Sequence, residues 1–187
     1  MMKKLISLFH DVIFPRQLAF GVFFLNLFGD KKYGAQLKER IVKSDEGTVG
    51  FELNDFMHRN GLTFVPWYEK HDLKHAILGY GITPPEEMYM QAFMFGNAGF
   101  SPLITLITLS FLIWIPDAWR SLPYHFLVGK FTKPIGGLTV EGTVELDLKR
   151  LREDINLEEA RQRAAFIINE LAGNQKERKY AAFPLKK

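Results

Sequence analysis

The chain contains no cysteine. This excludes disulfide bridges and every thiolate metal site, so a bound metal has to be held by His, Asp or Glu. Excess charge is also scarce: 24 Lys and Arg stand against 21 Asp and Glu, a formal net charge of +3. Duplex nucleic acid is excluded as a partner, because it calls for a dense basic stripe that is missing here. The basic residues that do cluster lie at the ends, Lys3 and Lys4 at one and Lys176, Arg178, Lys179, Lys186 and Lys187 at the other. They are either solvated termini or points of attraction to an anionic membrane surface, where each contributes about 1 kcal/mol.

No cleavable leader is expected either. His10, Asp11 and Arg16 interrupt the early apolar run, no A-x-A site follows, and an acid precedes the first Arg. Neither a secretory signal nor a transit peptide fits this pattern, so the chain is expected to act in the cytoplasm, where it is made. Leu5, Phe9, Val12 and Ile13 instead fall at helical spacing before Pro15, and an aromatic-rich stretch from Arg16 to Leu27 follows. The expectation is a pair of amphipathic helices within residues 3–28.

There is no unbroken apolar run of spanning length. Residues from Met88 to Pro116 carry no charge, yet Gly96, Asn97, Gly99 and Ser101-Pro102 divide them. Ser101 as N-cap and Pro102 at the first helical position start a new helix. That helix runs about 14 residues to Ile115, roughly 21 Å, against the roughly 20 residues a membrane span needs. It is expected to be a central helix or one dipping into lipid, not a spanning one.

What the chain has in quantity is apolar and aromatic material: 47% hydrophobic residues, only 24% charged, and 17 Phe in 187 residues. This suffices for one core, and a mainly α, single-domain helical bundle over 1–187 is expected. One β element interrupts the helical pattern. Leu138, Val140, Gly142, Val144, Leu146 and Leu148 alternate with polar residues after Pro134 and Gly136-Gly137, which predicts a strand or hairpin near 136–148. A final helix over 156–172 is marked by Asn156 as cap, Glu159 at the third position, the stripe Leu157, Ala160, Ala164, Ile168 and Leu171, and Gly173 at its end. A basic tail over 174–187 follows.

The chemistry concentrates between Lys70 and Gln91, inside a segment expected to form the middle of the bundle over 60–130. A helix predicted from Pro66 to Gly79 or Gly81 places His71 and His75 four apart on one face, where two imidazoles can share a divalent ion. Thr83, Pro84, Pro85 and Glu86 read as a capping box with proline first, which occupies Glu86 with the backbone and leaves Glu87 free. If the Gly79-Tyr80-Gly81 turn folds the next helix back, Glu87 joins the histidines, and two His with one Glu make a ligand set with open positions. The plainer alternative is a pair of partly exposed surface histidines. His10, His58 and His125 have no carboxylate at matching spacing and receive no role; a His-Asp phosphohydrolase would need further ligands that are not found.

The pattern H-D-x-x-H, eleven residues, then E, here His71, Asp72, His75 and Glu87 with Gly79 beyond, resembles the signature of the ubiquinone biosynthesis protein family that is fourth in the coenzyme Q series. The likeness runs from about Val65 to Pro102. It implies a mainly helical, homodimeric protein bound peripherally to the inner membrane in a bacterial-type homologue. Its partners would be prenylated quinone precursors or other lipids, the membrane surface and other quinone-biosynthesis proteins. Such proteins are linked to organising the biosynthetic complex, holding polyprenylated intermediates and oxidative decarboxylation of the ring.

On that basis His71, His75 and Glu87 hold a divalent ion, zinc first, with cobalt, manganese and iron also suited. Asp72 is either a fourth ligand or an acceptor that fixes an imidazole tautomer. A polyprenyl tail requires an apolar groove, which Phe93, Phe95, Phe100, Leu103, Ile107 and Phe111 could wall, unless they simply pack the core. The alternative function is a non-catalytic lipid-binding scaffold with a structural metal site, outside ubiquinone synthesis.

Overall fold

The computed structural model of the protein describes residues 31–65, 68–98 and 115–173. Among these it is mainly helical. In chain order the helices are α1 (Lys31–Val42), α2 (Val49–Arg59), α3 (Glu69–Leu78), α4 (Pro84–Gly96), a 3₁₀ turn (Pro116–Ala118), α5 (Leu122–Phe131), the short α6 (Val140–Thr143) and α7 (Leu148–Asp154), and α8 (Leu157–Gly173). The expected helices over 3–28 and 102–115 and the basic tail over 174–187 lie outside the described residues. No helix among the described residues is long and apolar enough to cross a membrane.

The core follows from helical spacing. Thr48 caps α2 by accepting the Phe51 N–H at 3.3 Å. The helix then buries Val49, Leu53, Phe56 and Met57, one stripe of an amphipathic helix. These side chains join Leu73 and Ile77 of α3 and Phe93 of α4 in one cluster. Helix α4 packs along α5, and α5 along α8. At the α4–α5 crossing the backbones come so close that a Cβ on Gly129 would collide with the Phe93 carbonyl, and one on Gly96 with the Phe126 carbonyl. Only glycine allows that approach.

Just beyond α4, the buried Asn97 fastens this crossing to the chain that follows α5. Its Nδ2 donates to the carbonyls of Gly129, Thr132 and Lys133 at 3.0, 3.0 and 3.2 Å, and its Oδ1 accepts the Ile135 N–H at 2.9 Å. The start of α4, which carries Glu87, thus belongs to an element anchored at both its face and its end.

The strand or hairpin expected near 136–148 is not formed, and the described residues contain no strand. A single antiparallel bridge between Thr48 and Asp147 is all the β pairing found there. Val140 and Gly142 fall in α6 and Leu148 begins α7, while Leu138, Val144 and Leu146 lie in the chain around them. Val140, Val144 and Leu148 are buried whereas Leu146 is 45% exposed, so the operative spacing is four, which every alternating pattern also contains. The polar partners are caps: Thr139 Oγ1 accepts the Gly142 N–H at 3.2 Å and Asp147 Oδ1 the Arg150 N–H at 2.7 Å. Local capping therefore decides for helix over strand.

The last helix runs from Leu157 to Gly173, close to expectation, and buries Leu157, Ala160 and Ala164, while Leu171 is exposed. Asn156 takes a left-handed conformation, φ 57°, at the joint between α7 and α8.

Candidate metal centre

Helix α3 begins at Glu69, later than the expected Pro66, which lies outside the described residues. Glu69 and Asp72 sit in its first turn, where the helix dipole favours anions. It stops where Gly79 adopts φ 74° and returns its N–H to the His75 carbonyl at 2.8 Å, a left-handed closure that suits glycine. Two guanidinium groups hold this end. Arg152 donates to the carbonyls of Ala76 and Ile77 at 3.0 and 2.8 Å, and Arg161 to that of Leu78 at 2.7 Å, so three of the helix's last carbonyls are satisfied by cations.

The turn that follows brings α4 back to α3. At its start the Thr83 N–H and hydroxyl both donate to Glu86 Oε2, at 3.3 and 2.6 Å. Glu86 is thereby occupied as the capping pattern predicts, and Glu87, one step around the helix, is directed at the histidines.

His71, His75 and Glu87 converge, with one donor atom from each lying within 4.8 Å of the others. Glu87 Oε2 is 3.4 Å from His71 Nε2, and its Oε1 is 3.2 Å from His75 Nε2. Ligands at about 2.0–2.1 Å from a tetrahedral zinc stand roughly 3.4 Å apart, so both separations suit a shared ion. The site is enclosed by rings: Phe56 stacks on His75 at 5.1 Å between centroids, and Tyr68 on His71 at 4.3 Å. His75 is 1% exposed.

Hydrogen-bond direction supports a cation there. His75 Nδ1 lies 3.1 Å from the Tyr80 carbonyl oxygen. A carbonyl only accepts, so Nδ1 carries the proton and donates it. In the neutral ring, Nε2 then presents a lone pair to a carboxylate oxygen. This buried Nε2 has no hydrogen-bond partner. Two acceptors facing each other repel unless a positive charge lies between them, and either a proton on Nε2 or a divalent ion meets that requirement.

Asp72 is set behind the cluster instead of within it. Its Oδ1 is 3.6 Å from His71 Nδ1, on the opposite edge of the ring from Glu87. This position puts Asp72 outside the convergent trio, and with His71 Nδ1 left without a hydrogen-bond partner it acts on the ring through its charge. Burial alone would lower the His71 pKa, but the Asp72 and Glu87 carboxylates raise it to about 9. For Glu87 the balance runs the other way: burial would raise its pKa, and His71 and His75 hold it down to about 2. Burial, followed by the Glu87 and Asp72 charges, pushes the Tyr68 phenol above its usual range, so it stays neutral.

The six residues considered for a lipid groove are not brought onto one wall where they can be seen. Phe93 is fully buried in the core and Phe95 is 51% exposed. Phe100, Leu103, Ile107 and Phe111 lie outside the described residues.

Several participants carry no spacing signal. His125, given no role from sequence, is buried with Nδ1 2.8 Å from the Tyr80 hydroxyl, and its ring stacks on Tyr89 at 4.3 Å. Burial, with a smaller effect from Arg161, drops its pKa to about 3. Glu69 is also buried, with Oε2 unpartnered, but it is outside the convergent trio.

The fold and site together define a mainly helical protein with a buried two-histidine, one-glutamate cluster suited to a metal ion. No protein-family model matches the chain, and no curated protein matches it.

Proposed function

We propose that the protein binds a divalent cation through His71, His75 and Glu87 and presents the ion's open positions to a prenylated aromatic acid at a membrane surface, as a quinone-biosynthesis protein. It would there organise the biosynthetic complex or assist oxidative decarboxylation of the ring. The observation that carries the metal assignment is the partnerless His75 Nε2 held 3.2 Å from a Glu87 oxygen while Nδ1–H is committed to Tyr80. When bound, the ion would supply Lewis-acid stabilisation of a ring carboxylate or phenolate. The chain's own residues divide the remaining work: the two imidazoles and Glu87 hold the ion, the Asp72 charge lies behind His71, and Tyr68 and Phe56 keep water from the rings. Zinc, cobalt, manganese and iron all suit this donor set. The ubiquinone assignment rests on the resemblance of the His71–Glu87 pattern, and large exposed aromatics at Phe95, Trp119 and Phe126 are compatible with a lipid-facing surface.

Metal analysis of purified wild-type protein beside His71→Ala and Glu87→Ala tests the site. Occupancy in the wild type and loss in both variants is expected, and full occupancy in both variants removes the assignment. Restoring ubiquinone to a strain that lacks its own counterpart tests the pathway. A second reading, a lipid-binding scaffold with a structural metal, is favoured by the burial of the site, where the His71, His75 and Glu87 side chains are only 10, 1 and 16% exposed. Cobalt-substituted protein separates the two: an aromatic acid that changes its visible spectrum reaches an open position, and an unchanged spectrum supports the scaffold.

A further inference from the structure

We infer that Tyr80 and His125 are positioning residues for the metal site: His125 anchors the Tyr80 phenol, and the Tyr80 carbonyl in turn holds His75 Nδ1–H so that Nε2 faces the ion. The inference rests on the metal reading of His75. It concerns a connection that neither the motif nor its resemblance contains.

Tyr80 touches both histidines with different groups. Its carbonyl accepts from His75 at 3.1 Å and its hydroxyl lies 2.8 Å from His125 Nδ1. The residue sits between Gly79 and Gly81 in the turn joining α3 to α4. Neither neighbour has a side chain to anchor that turn. The arginine clamp ends at Leu78, so the Tyr80 carbonyl is beyond its reach. The phenol is therefore the side chain that fixes where this carbonyl points, and the phenol is fixed from α5.

His125 is built to act as a rigid anchor. It is 6% exposed. It stacks on Tyr89 and meets Tyr80 and Tyr124 edge-on, with centroids 5.4 and 5.0 Å away. Its Nε2 is buried without a partner. Leaving one ring nitrogen unsatisfied is destabilising, and a phenylalanine would fill the same volume without that cost. What a phenylalanine would lose is the bond from Nδ1 to Tyr80. Hydrogen bonds behind a metal-binding imidazole fix its tautomer and orientation, and losing one weakens metal binding by about 10–100-fold. Here the support reaches His75 through a backbone carbonyl whose own position depends on a distant imidazole.

The test uses the full chain with Tyr80→Phe, which removes one oxygen, His125→Phe, which keeps the ring volume, and His125→Asn, whose amide can still meet the phenol. Long-range proton–nitrogen NMR spectra of the metal-free proteins report the His75 tautomer directly. The wild type should be protonated at Nδ1. Tyr80→Phe and His125→Phe should populate the Nε2–H tautomer, bind cobalt about tenfold more weakly and show a changed cobalt visible spectrum. His125→Asn should return both spectra towards wild type. A His75 tautomer identical in wild type, Tyr80→Phe and His125→Phe would overturn the inference, as would a wild-type ring protonated at Nε2. Should wild-type protein bind no cobalt, the metal reading fails, whereas the tautomer spectra still decide whether Tyr80 and His125 position His75.

Discussion

Metal binding should release a proton, and the number can be worked from the site. A ligating imidazole must be deprotonated at the nitrogen it offers. The Asp72 and Glu87 carboxylates raise the His71 pKa to about 9 against burial, so at pH 7.5 this ring is almost fully protonated in the metal-free protein. An ordinary histidine at 6.5 would be only about a tenth protonated there. Each ion captured at pH 7.5 should therefore displace about one proton from His71, and affinity should rise about tenfold per pH unit until it levels near pH 9. Competition from that proton costs about 2 kcal/mol of binding free energy at pH 7.5. Glu87 contributes nothing to the release, since its pKa of about 2 leaves it ionised throughout.

Titration calorimetry of zinc into metal-free protein, in two buffers of different ionisation enthalpy at pH 7.5, counts the protons released. Asp72→Asn then isolates the cause. It removes the carboxylate 3.6 Å from His71 Nδ1, so His71 should titrate lower, the proton count should fall, and affinity should level at a lower pH. Wild-type binding that releases no proton and has the same affinity at pH 7 and pH 9 would refute the electrostatic account of His71.

The same groups give the metal-free protein a pH dependence of stability. The raised His71 pKa stabilises fully below about 6.5 and this is lost as pH rises through about 9, while the lowered Glu87 pKa stabilises above about 4.5 and this is lost as pH falls towards 2. Thermal melts should accordingly decline on both sides of the interval from about 4.5 to 6.5, and a Tm that is flat from pH 6 to 9.5 would count against this. Removing the metal should also lower Tm: an ion at about 100 times its Kd stabilises by roughly 2.7 kcal/mol, or about 5–10 °C for a domain of this size, read by melting with and without a chelator. Asn97→Ala should destabilise by about 3–4 kcal/mol in urea unfolding, through the stranded Ile135 N–H and the lost bonds to the Gly129, Thr132 and Lys133 carbonyls. Asn97→Asp should be at least as harmful because it points a carboxylate oxygen at those carbonyls, so a milder Asp variant would be the wrong outcome. Gly129→Ala should cost more than the roughly 1–3 kcal/mol usual for overpacking, because its Cβ meets the backbone of α4 instead of a flexible side chain; stability near wild type would show that the helices separate easily.

What could be read from the sequence is what short stretches of chain decide. The start of α4 is marked by proline and a Thr–Glu cap within a few residues, and these appear as expected. The trio is legible for the same reason: His71 and His75 are one turn apart, and Glu87 follows across a turn bounded by glycines. The stretch from Leu138 to Leu148 misleads because alternation by two contains repetition by four. Thr139 and Asp147, which decide the matter, look like the polar half of a strand until their capping bonds are seen.

The supports of the site have no such local signature. Tyr80 meets His125 from 45 residues away, and Arg152 and Arg161 reach the end of α3 across 75 to 83 residues. An isolated arginine on an amphipathic helix, or a histidine between aromatics, resembles many residues with no such role. The chain thus keeps its proposed metal-ligand set in one short segment and draws the groups that hold it in place from α5, α7 and α8. A substitution in those distant helices would leave the motif intact and still loosen the end of α3. Helix α3 carries both imidazoles, so correct ligands alone do not make a preorganised site here. The hydrogen bonds that the later helices make to the end of α3 and to the turn after it are part of what specifies it.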